Sequence, residues 1–135
     1  MPVVSITRLR LRSWRFAPAF MWYAVRSRMQ AMKAEGNRGA DAVREPGNIF
    51  WTRTVWESEA DVKRYMIAQP HGEAMRKLLN WCDEASVARW EQESTTRPDW
   101  QEAHRRMVAE GRRSKVRFPS AAHERFEIPA PKLKG

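Results

Sequence analysis

Apolar and polar positions follow two different periods in the first quarter of the chain. From Val3 to Leu11 they alternate, which predicts a strand. From Phe16 to Ala34 apolar residues recur every three or four positions, which predicts a helix. The helix has two neighbouring stripes, Met21, Val25, Met29, Met32 and Phe20, Ala24, Ser27, Ala31. It is apolar over a wide arc, so we expect it to be buried, with room for a ligand pocket or a partner.

A strand pair follows this helix. Ile49–Trp56 has the strongest strand composition in the chain, with Trp, Val, Ile and Thr, whereas Ala40–Glu45 is a weaker strand. Pro46 and Gly47 supply a turn between them. These two strands should therefore form a hairpin.

The next segments predict a helix in two pieces and a last strand. Ser58 stands where a helix N-cap is expected, and Pro70 interrupts the helix that follows. His71–Leu79 forms a second helical piece, and Ala85–Gln92 closes the sheet. The resulting order is β-α-β-β-α-β, an α+β arrangement with a split second helix.

The chain beyond the last strand predicts an extension rather than a second domain. Pro98 stands at the start of a helix and Gly111 follows its end. Three prolines then follow in a basic tail. We therefore divide the chain into an α+β domain at 1–96 and a C-terminal helix with an extended basic tail at 97–135.

Composition limits the class of protein. A chain of 135 residues can bury one core without disulfides, and Cys82 has no second cysteine to pair with. Cys82 also has no basic neighbour in sequence, which indicates a buried, inert thiol. No apolar run resembles a signal peptide or a membrane span. We therefore predict a cytoplasmic protein.

The net charge of +9 is distributed unevenly along the chain. Residues 1–34 have seven basic and no acidic side chains, residues 35–96 have eight against eleven, and residues 97–135 have ten against five. Basic ends can bind nucleic acid or an anionic membrane. They can also form ion pairs with the acidic middle, and the absence of a dense basic run favours this second interpretation.

His71 is the first candidate for chemistry, because imidazole titrates near neutral pH and can act as a general base or a metal ligand. The alternative is a surface or capping histidine. Arg53 and Arg89 lie within predicted strands, where a guanidinium is costly unless it is paired or faces water. An arginine that points into a pocket would orient a carboxylate, a phenolate or a haem propionate. The alternative is an ion pair with Asp41, Glu91 or Glu93.

Seven aromatic residues are candidates for lining a flat apolar pocket, although most of them must belong to the core. They are Trp22, Tyr23, Phe50, Trp51, Trp56, Tyr65 and Trp90. The sequence has no glycine-rich phosphate loop and no zinc-binding spacing. Nucleotide cofactors and a structural zinc are therefore not predicted.

The segment from Thr54 to Ala60, followed by Pro70 and His71 and a short apolar helix, resembles the antibiotic-biosynthesis-monooxygenase-like families. These families belong to the dimeric α+β barrel superfamily. The Val4-Ser5-Ile6 strand and the Phe50-Trp51 strand are more specifically similar to the spheroidene-monooxygenase-like group. The resemblance covers roughly residues 2–92.

This resemblance implies a ferredoxin-like protomer whose sheet packs against that of a second protomer, with a pocket between sheet and helices. The superfamily includes cofactor-free oxygenases, haem enzymes and proteins without known activity, so fold membership leaves the chemistry open. The haem-degrading branch uses an Asn, a Trp and an axial His. Thr7, Tyr65 and Met75 stand at those positions here, which disfavours that branch.

The sequence and the resemblance together favour a monooxygenase-like homodimer that acts on a hydrophobic aromatic or polyene small molecule, with no cofactor or with haem. The alternatives are a non-catalytic protein that binds a hydrophobic ligand or haem, and a nucleic-acid-binding protein. His71 and Tyr65 are the predicted proton-handling residues. The predicted substrate-binding residues are Trp22, Phe50, Trp51, Arg53, Met75 and Trp90.

Overall fold

The elements follow the predicted order in the computed structural model, which describes residues 1–68 and 71–132. Strand β1 (Val3–Leu11) and a 3-10 turn (Trp14–Phe16) lead into helix α1 (Ala17–Lys33). Strands β2 (Asn37–Glu45) and β3 (Ile49–Trp56) precede helices α2 (Glu59–Ile67) and α3 (His71–Trp81) and strand β4 (Cys82–Glu91). The C-terminal part contains α4 (Trp100–Glu110), β5 (Arg112–Arg113) and α5 (Ala121–Glu124).

The strands form one antiparallel sheet in the order β2-β3-β1-β4-β5. β1 lies in the middle, so Ser5 is opposite Thr54 on one side and Arg89 on the other. The arrangement confirms the predicted α+β, ferredoxin-like fold. β4 begins at Cys82, three residues earlier than predicted, and a register shift beside Leu11 accommodates these residues.

Local sequence signals account for several element boundaries. Gly36 and Gly47 have φ angles of 84° and 93°, a backbone region that glycine adopts readily, and they follow α1 and turn the hairpin. Ser58 caps α2, because its hydroxyl accepts a hydrogen bond from the Asp61 amide at 3.3 Å. β2 begins at Asn37 instead of Ala40, because residues 37–39 extend the antiparallel pairing with β3 as far as Trp56.

Both faces of the sheet are covered. The cavity face, which includes Ser5 and Thr7, is turned toward α1, α2 and α3. The α4 face includes Val4 and Ile6, which pack in one buried cluster with Met107 of α4. Each strand contributes alternate residues to the two faces. Two residues that are adjacent in a strand therefore lie on opposite faces, one toward the cavity and one toward α4.

The C-terminal extension is docked on the domain, which corrects the expectation of an extended tail. Ala103 and Met107 of α4 are fully buried against the sheet. The Ser120 amide donates to the Asp83 carbonyl at 3.0 Å, and the Lys132 amide donates to the Glu45 carboxylate at 2.9 Å. These partners are distant in sequence, so local patterns did not indicate them.

The α4 face is the surface that a second sheet would cover in the predicted dimeric barrel. In this chain Trp100, Ala103 and Met107 already pack there. A dimer through that face therefore requires α4 to leave it or to exchange between protomers. The homodimer stays a prediction.

The buried stripe of α1 differs from the expectation. Phe20, Ser27 and Ala31 are buried, whereas the stripe Met21, Val25, Met29, Met32 is about half exposed. Small residues let the helix approach the sheet closely, and the larger methionines are therefore turned outward. No helix in the described ranges is long and apolar enough to cross a membrane.

Candidate functional site

A cavity of about 270 Å³ lies between the cavity face of the sheet and the three helices that cover it. Its volume lies just below the range of about 300–1,000 Å³ that is common for ligand pockets. A second cavity in the described part of the chain has only about 10 Å³. The larger cavity is therefore the candidate site.

The floor of the cavity is polar although it lies at the centre of the sheet. Ser5 and Thr7 of β1 line it together with Thr52 and Thr54 of β3. The register places Ser5 opposite Thr54 and Thr7 opposite Thr52, so the four hydroxyl groups form two adjacent cross-strand pairs. Such a floor can accept and donate hydrogen bonds to a ligand.

The walls are apolar and come from the helices. Phe20 and Ala24 of α1 face Leu78 and Trp81 of α3 at one end, beside the buried cluster that contains Leu9. A wall of this composition favours the flat, apolar body of a ligand. The cavity thus has a hydroxyl floor and an aromatic and aliphatic wall.

Arg89 of β4 brings a positive charge to the lining. Its Nη1 donates to Glu59 at 2.9 Å, and its Nη2 lies 2.7 Å from the Met66 sulfur. Its Nε is buried and has no hydrogen-bond partner among the described residues. The ion-pair partner is thus Glu59, not Glu91 or Glu93 as the sequence suggested.

Two further lining residues share this property with Arg89. The Ser27 hydroxyl and the Trp56 indole nitrogen are buried and have no hydrogen-bond partner in the described structure. Tyr65 contacts both of these residues. Its ring packs against that of Trp56, with 5.0 Å between the ring centroids, and its hydroxyl donates a hydrogen bond to the Ser27 carbonyl at 3.1 Å. An unpaired buried polar atom costs about 1–3 kcal/mol, so this polar end of the cavity is suited to an oxygen-bearing ligand.

Tyr65 is held in its neutral form. Burial raises the pKa of its hydroxyl well above the usual value of 10.0. The hydroxyl therefore stays protonated near neutral pH and donates a hydrogen bond. Its one proton is donated to the Ser27 carbonyl, so toward a ligand the hydroxyl oxygen is suited to accept a hydrogen bond rather than to act as a base.

The structure brings only some of the predicted site residues to the cavity. Tyr65 and Met75 line it. Phe50 is on the cavity face of the sheet but is not part of the lining. Its ring packs edge-on against that of Phe20, with 4.5 Å between the ring centroids. Trp22 is on the outer side of α1 and is 53% exposed.

Three other predicted substrate-binding residues lie on the α4 face. Trp51 and Trp90 are buried in the cluster under α4, and Arg53 pairs with Asp41 and packs over the Trp100 ring. The Asp41 partner agrees with the ion-pair alternative for Arg53. Because both faces are covered, these strands are apolar on both parities, and composition did not distinguish the faces.

His71 begins α3, but its side chain lies outside the described residues, so its catalytic role stays a prediction. The other two histidines lie in the C-terminal extension. The ring of His104 is 2.7 Å from the Ile128 carbonyl and that of His123 is 3.0 Å from the Ser114 carbonyl. Both rings therefore hold the C-terminal extension in place.

The hydroxyl floor was not recognised from the sequence. A signal was present, because Ser5 and Thr7 interrupt the apolar parity of a central strand, and Thr52 and Thr54 do the same in the next one. Two such pairs on neighbouring strands indicate a polar surface that faces something other than a dry core. The register that aligns them became visible only in the sheet.

Haem is a cofactor that the resemblance associates with some relatives. Iron in haem is usually held by His, Cys, Tyr or Met. The Tyr65 hydroxyl is neutral and donates to Ser27. Methionines do line the cavity, but methionine holds haem iron together with a histidine, and no histidine or cysteine occurs among the described residues of the lining. The described lining therefore does not fit a haem. Within 1–68 and 71–132, no group of three or more His, Cys, Asp or Glu side chains is placed to hold a metal ion.

Cys82 is fully buried, in agreement with the expected inert thiol. Burial, together with the charge of Asp83, raises the pKa of the thiol to about 12. The thiolate is therefore scarce until the pH approaches this value, and we expect iodoacetamide to modify Cys82 at pH 8 only after denaturation. Mass spectrometry of native and urea-treated protein measures this, and rapid labelling of the native protein would contradict the placement.

The comparisons with known proteins agree with this geometry. The family described as Domain of unknown function (DUF3291) matches residues 14–115. Rv0793 from Mycobacterium tuberculosis has a similar structure, with a TM-score of 0.63 and 12% identity over 70% of this chain and 97% of that one. A search of curated protein sequences found no match.

Two oxygenase-related structures are also similar. A Nitrosomonas europaea protein, provisionally described as an antibiotic biosynthesis monooxygenase, has a TM-score of 0.62 and 13% identity over 70% of this chain and 93% of that one. A variant of SnoaB, a cofactor-independent oxygenase from Streptomyces nogalater, has a TM-score of 0.57 and 17% identity over 73% of this chain and 98% of that one. These likenesses show the fold and confirm the predicted resemblance to monooxygenase-like proteins.

Proposed function

Because the chain belongs to the DUF3291 family, whose description gives no activity, we propose its function from the cavity: a monooxygenase-like enzyme acting on a small hydrophobic aromatic molecule that has an oxygen substituent. The observation that carries the proposal is the polar end of the cavity, where the lining residues Ser27, Trp56 and Arg89 each have a buried polar atom without a partner in the described structure. A dry core would pair or exclude such atoms. A ligand oxygen would satisfy them.

The size of the cavity favours a compact ring system. About 270 Å³ accommodates a few fused rings, whereas a long polyene would have to extend out of the mouth. The apolar end would hold the rings between Phe20 and Trp81. The oxygen substituent would lie at the polar end, beside Arg89 and Trp56.

This placement suits a reaction with dioxygen that uses no cofactor. A ring CH₂ that is conjugated with a carbonyl, as across the central ring of an anthrone, loses a proton to give an enolate, which reacts with O₂. One oxygen atom enters a new C=O bond, and the other leaves as water with the two hydrogens of that carbon. The guanidinium of Arg89 and the indole N–H of Trp56 would stabilise the enolate oxygen, because donors in a water-poor site favour developing charge. His71 stays the predicted proton acceptor.

Oxygen uptake with an anthrone-type substrate tests the proposal. We expect uptake above the uncatalysed rate, one O₂ consumed per carbonyl formed, and loss of this activity in Thr54→Phe, whose ring would fill the cavity floor. Arg44→Gln, an exposed strand arginine outside the lining, is the control and should keep the activity. Uptake that Thr54→Phe leaves unchanged would contradict a reaction in the cavity.

The alternative is a protein that binds the same class of ligand without converting it. Equilibrium binding that Thr54→Phe abolishes, with no oxygen uptake by the unmodified protein, would support this alternative. It uses the same cavity but assigns no reaction to it. Haem binding is less well supported, because the described lining does not fit that group.

Nucleic-acid binding is the weakest of the candidate functions. Several arginines of the C-terminal part are already paired within the chain: Arg106 contacts Glu102 and Glu110, and Arg125 contacts Glu127. Pairing reduces the charge available to phosphates. Steep salt dependence of binding to generic DNA, lost on deletion of residues 97–135, would be needed to support it.

A further inference from the structure

The outer face of α1 is apolar and exposed. Met21, Trp22, Val25, Met29 and Met32 are each between 45% and 57% exposed. At 3.6 residues per turn they occupy one continuous arc of roughly 100° on the helix. A stripe of this width is typical of a helix that buries its apolar side against something else. We call these five residues the α1 outer face.

Positive charges flank this face. Arg28 lies on one margin of the arc, and Arg26 and Lys33 lie on the other, all three being exposed. The Arg26 guanidinium packs over the Trp22 ring at 4.5 Å. Residues 1–34 contain no acidic side chain. The helix thus combines an apolar outer face with margins on which all the charged side chains of α1 are cationic.

The α1 outer face is continuous with the mouth of the cavity. Met21, Val25 and Arg28 line the cavity and are also exposed to solvent. A hydrophobic molecule could therefore pass from this surface into the cavity without crossing bulk water. The sheet separates the cavity from the α4 face, because the strand residues that line the cavity alternate with those of the cluster under α4.

We propose that the α1 outer face docks on the surface of an anionic lipid bilayer, with the cavity mouth turned toward the lipid. The apolar side chains would enter the boundary between headgroups and acyl chains, and the three cations would contact anionic headgroups. A second copy of this chain fits less well, because a two-fold contact would bring the same cations together. The docking is independent of whether the cavity is catalytic.

Co-sedimentation of the full chain with vesicles tests the docking. We expect binding to vesicles with equal parts of phosphatidylglycerol and phosphatidylcholine, and at least about tenfold weaker binding to phosphatidylcholine alone. The double variant Val25→Ser, Met29→Ser should weaken binding by about tenfold or more, as should Arg26→Gln with Lys33→Gln. Val108→Ser is the matched control, since Val108 is an exposed apolar residue of α4, on the other side of the sheet.

Three outcomes would overturn the proposal. One is no binding to anionic vesicles by the folded protein, and another is equal binding by the Val25→Ser, Met29→Ser variant and the Val108→Ser control. The third is a dimer by light scattering that these two α1 substitutions convert to monomer, which would assign the face to a second copy. Because the assay measures binding rather than turnover, its failure is distinct from failure of the proposed oxygenase activity.

Discussion

Met107→Asp lowers the free energy of unfolding by about 3–5 kcal/mol, whereas Val108→Asp changes it by about 0.5 kcal/mol or less. The two residues are neighbours on α4, but Met107 is fully buried under the sheet and Val108 is 54% exposed. An aspartate at 107 would place an unpaired carboxylate among Val4, Ile6 and Trp51. Urea denaturation of the two variants and the unmodified chain measures the difference.

Equal effects of the two substitutions would contradict the packing of α4 on the sheet. The dependence on protein concentration gives a second measurement. If α4 packs within its own chain, the urea midpoint should not change with concentration, whereas exchange of α4 between protomers would make it rise. This measurement also examines the predicted homodimer, since α4 occupies the face that a second sheet would need.

Arg89→Gln weakens the binding of an aromatic carboxylate by about 10- to 100-fold. A hydrogen bond to a charged group contributes about 1.5–3 kcal/mol, and each 1.4 kcal/mol corresponds to a tenfold change in affinity. The Arg89 side chain lines the cavity, and Glu59 is its one acidic partner in the described structure, so a ligand carboxylate can share the charge of the guanidinium. Glutamine preserves much of the side-chain volume but removes the charge.

Stability must be measured beside affinity in this experiment, because Arg89 also pairs with Glu59 at 2.9 Å. Glu59→Gln is a useful control, since it removes the ion pair and leaves the guanidinium in the cavity. We expect Glu59→Gln to bind the carboxylate as well as the unmodified chain or better. A loss of affinity in Glu59→Gln equal to that in Arg89→Gln would indicate a structural role for the pair rather than ligand binding by Arg89.

The fold was largely accessible from the sequence because its signals are local. The cap at Ser58, the turn at Gly47 and the composition of Ile49–Trp56 each fixed an element and its boundary. Their order then restricted the topology to few possibilities. Non-local contacts were not accessible, and the docking of Ser120 and Lys132 on the domain is an example.

The side of each element that is buried was harder to predict. The methionine stripe of α1 is more hydrophobic than the stripe that contains Phe20, Ser27 and Ala31, yet the second stripe is the one that is buried. Its small residues allow the helix to lie close to the sheet. Trp51 and Trp90 were assigned to the cavity because the sequence did not indicate that α4 covers the opposite face. Hydrophobicity alone identifies neither the side of contact nor its partner.

The site was predicted only in part, for a related reason. Arg89 was recognised as a strand arginine that would matter if it pointed inward, and the register of β4 against Ser5 provides that orientation. The hydroxyl floor depends on the alignment of β1 with β3, which residue types do not reveal. Position in the sheet, more than residue identity, therefore defines the candidate site.

The central claim, that the cavity binds an aromatic oxyanion through Arg89, is tested most directly by calorimetric titration with 2-naphthoate and with its neutral analogue 2-naphthamide. We predict tighter binding of the carboxylate by the unmodified chain and by Arg44→Gln, and loss of that preference in Arg89→Gln. Equal affinity for the two compounds, or a preference that persists in folded Arg89→Gln, would contradict the claim.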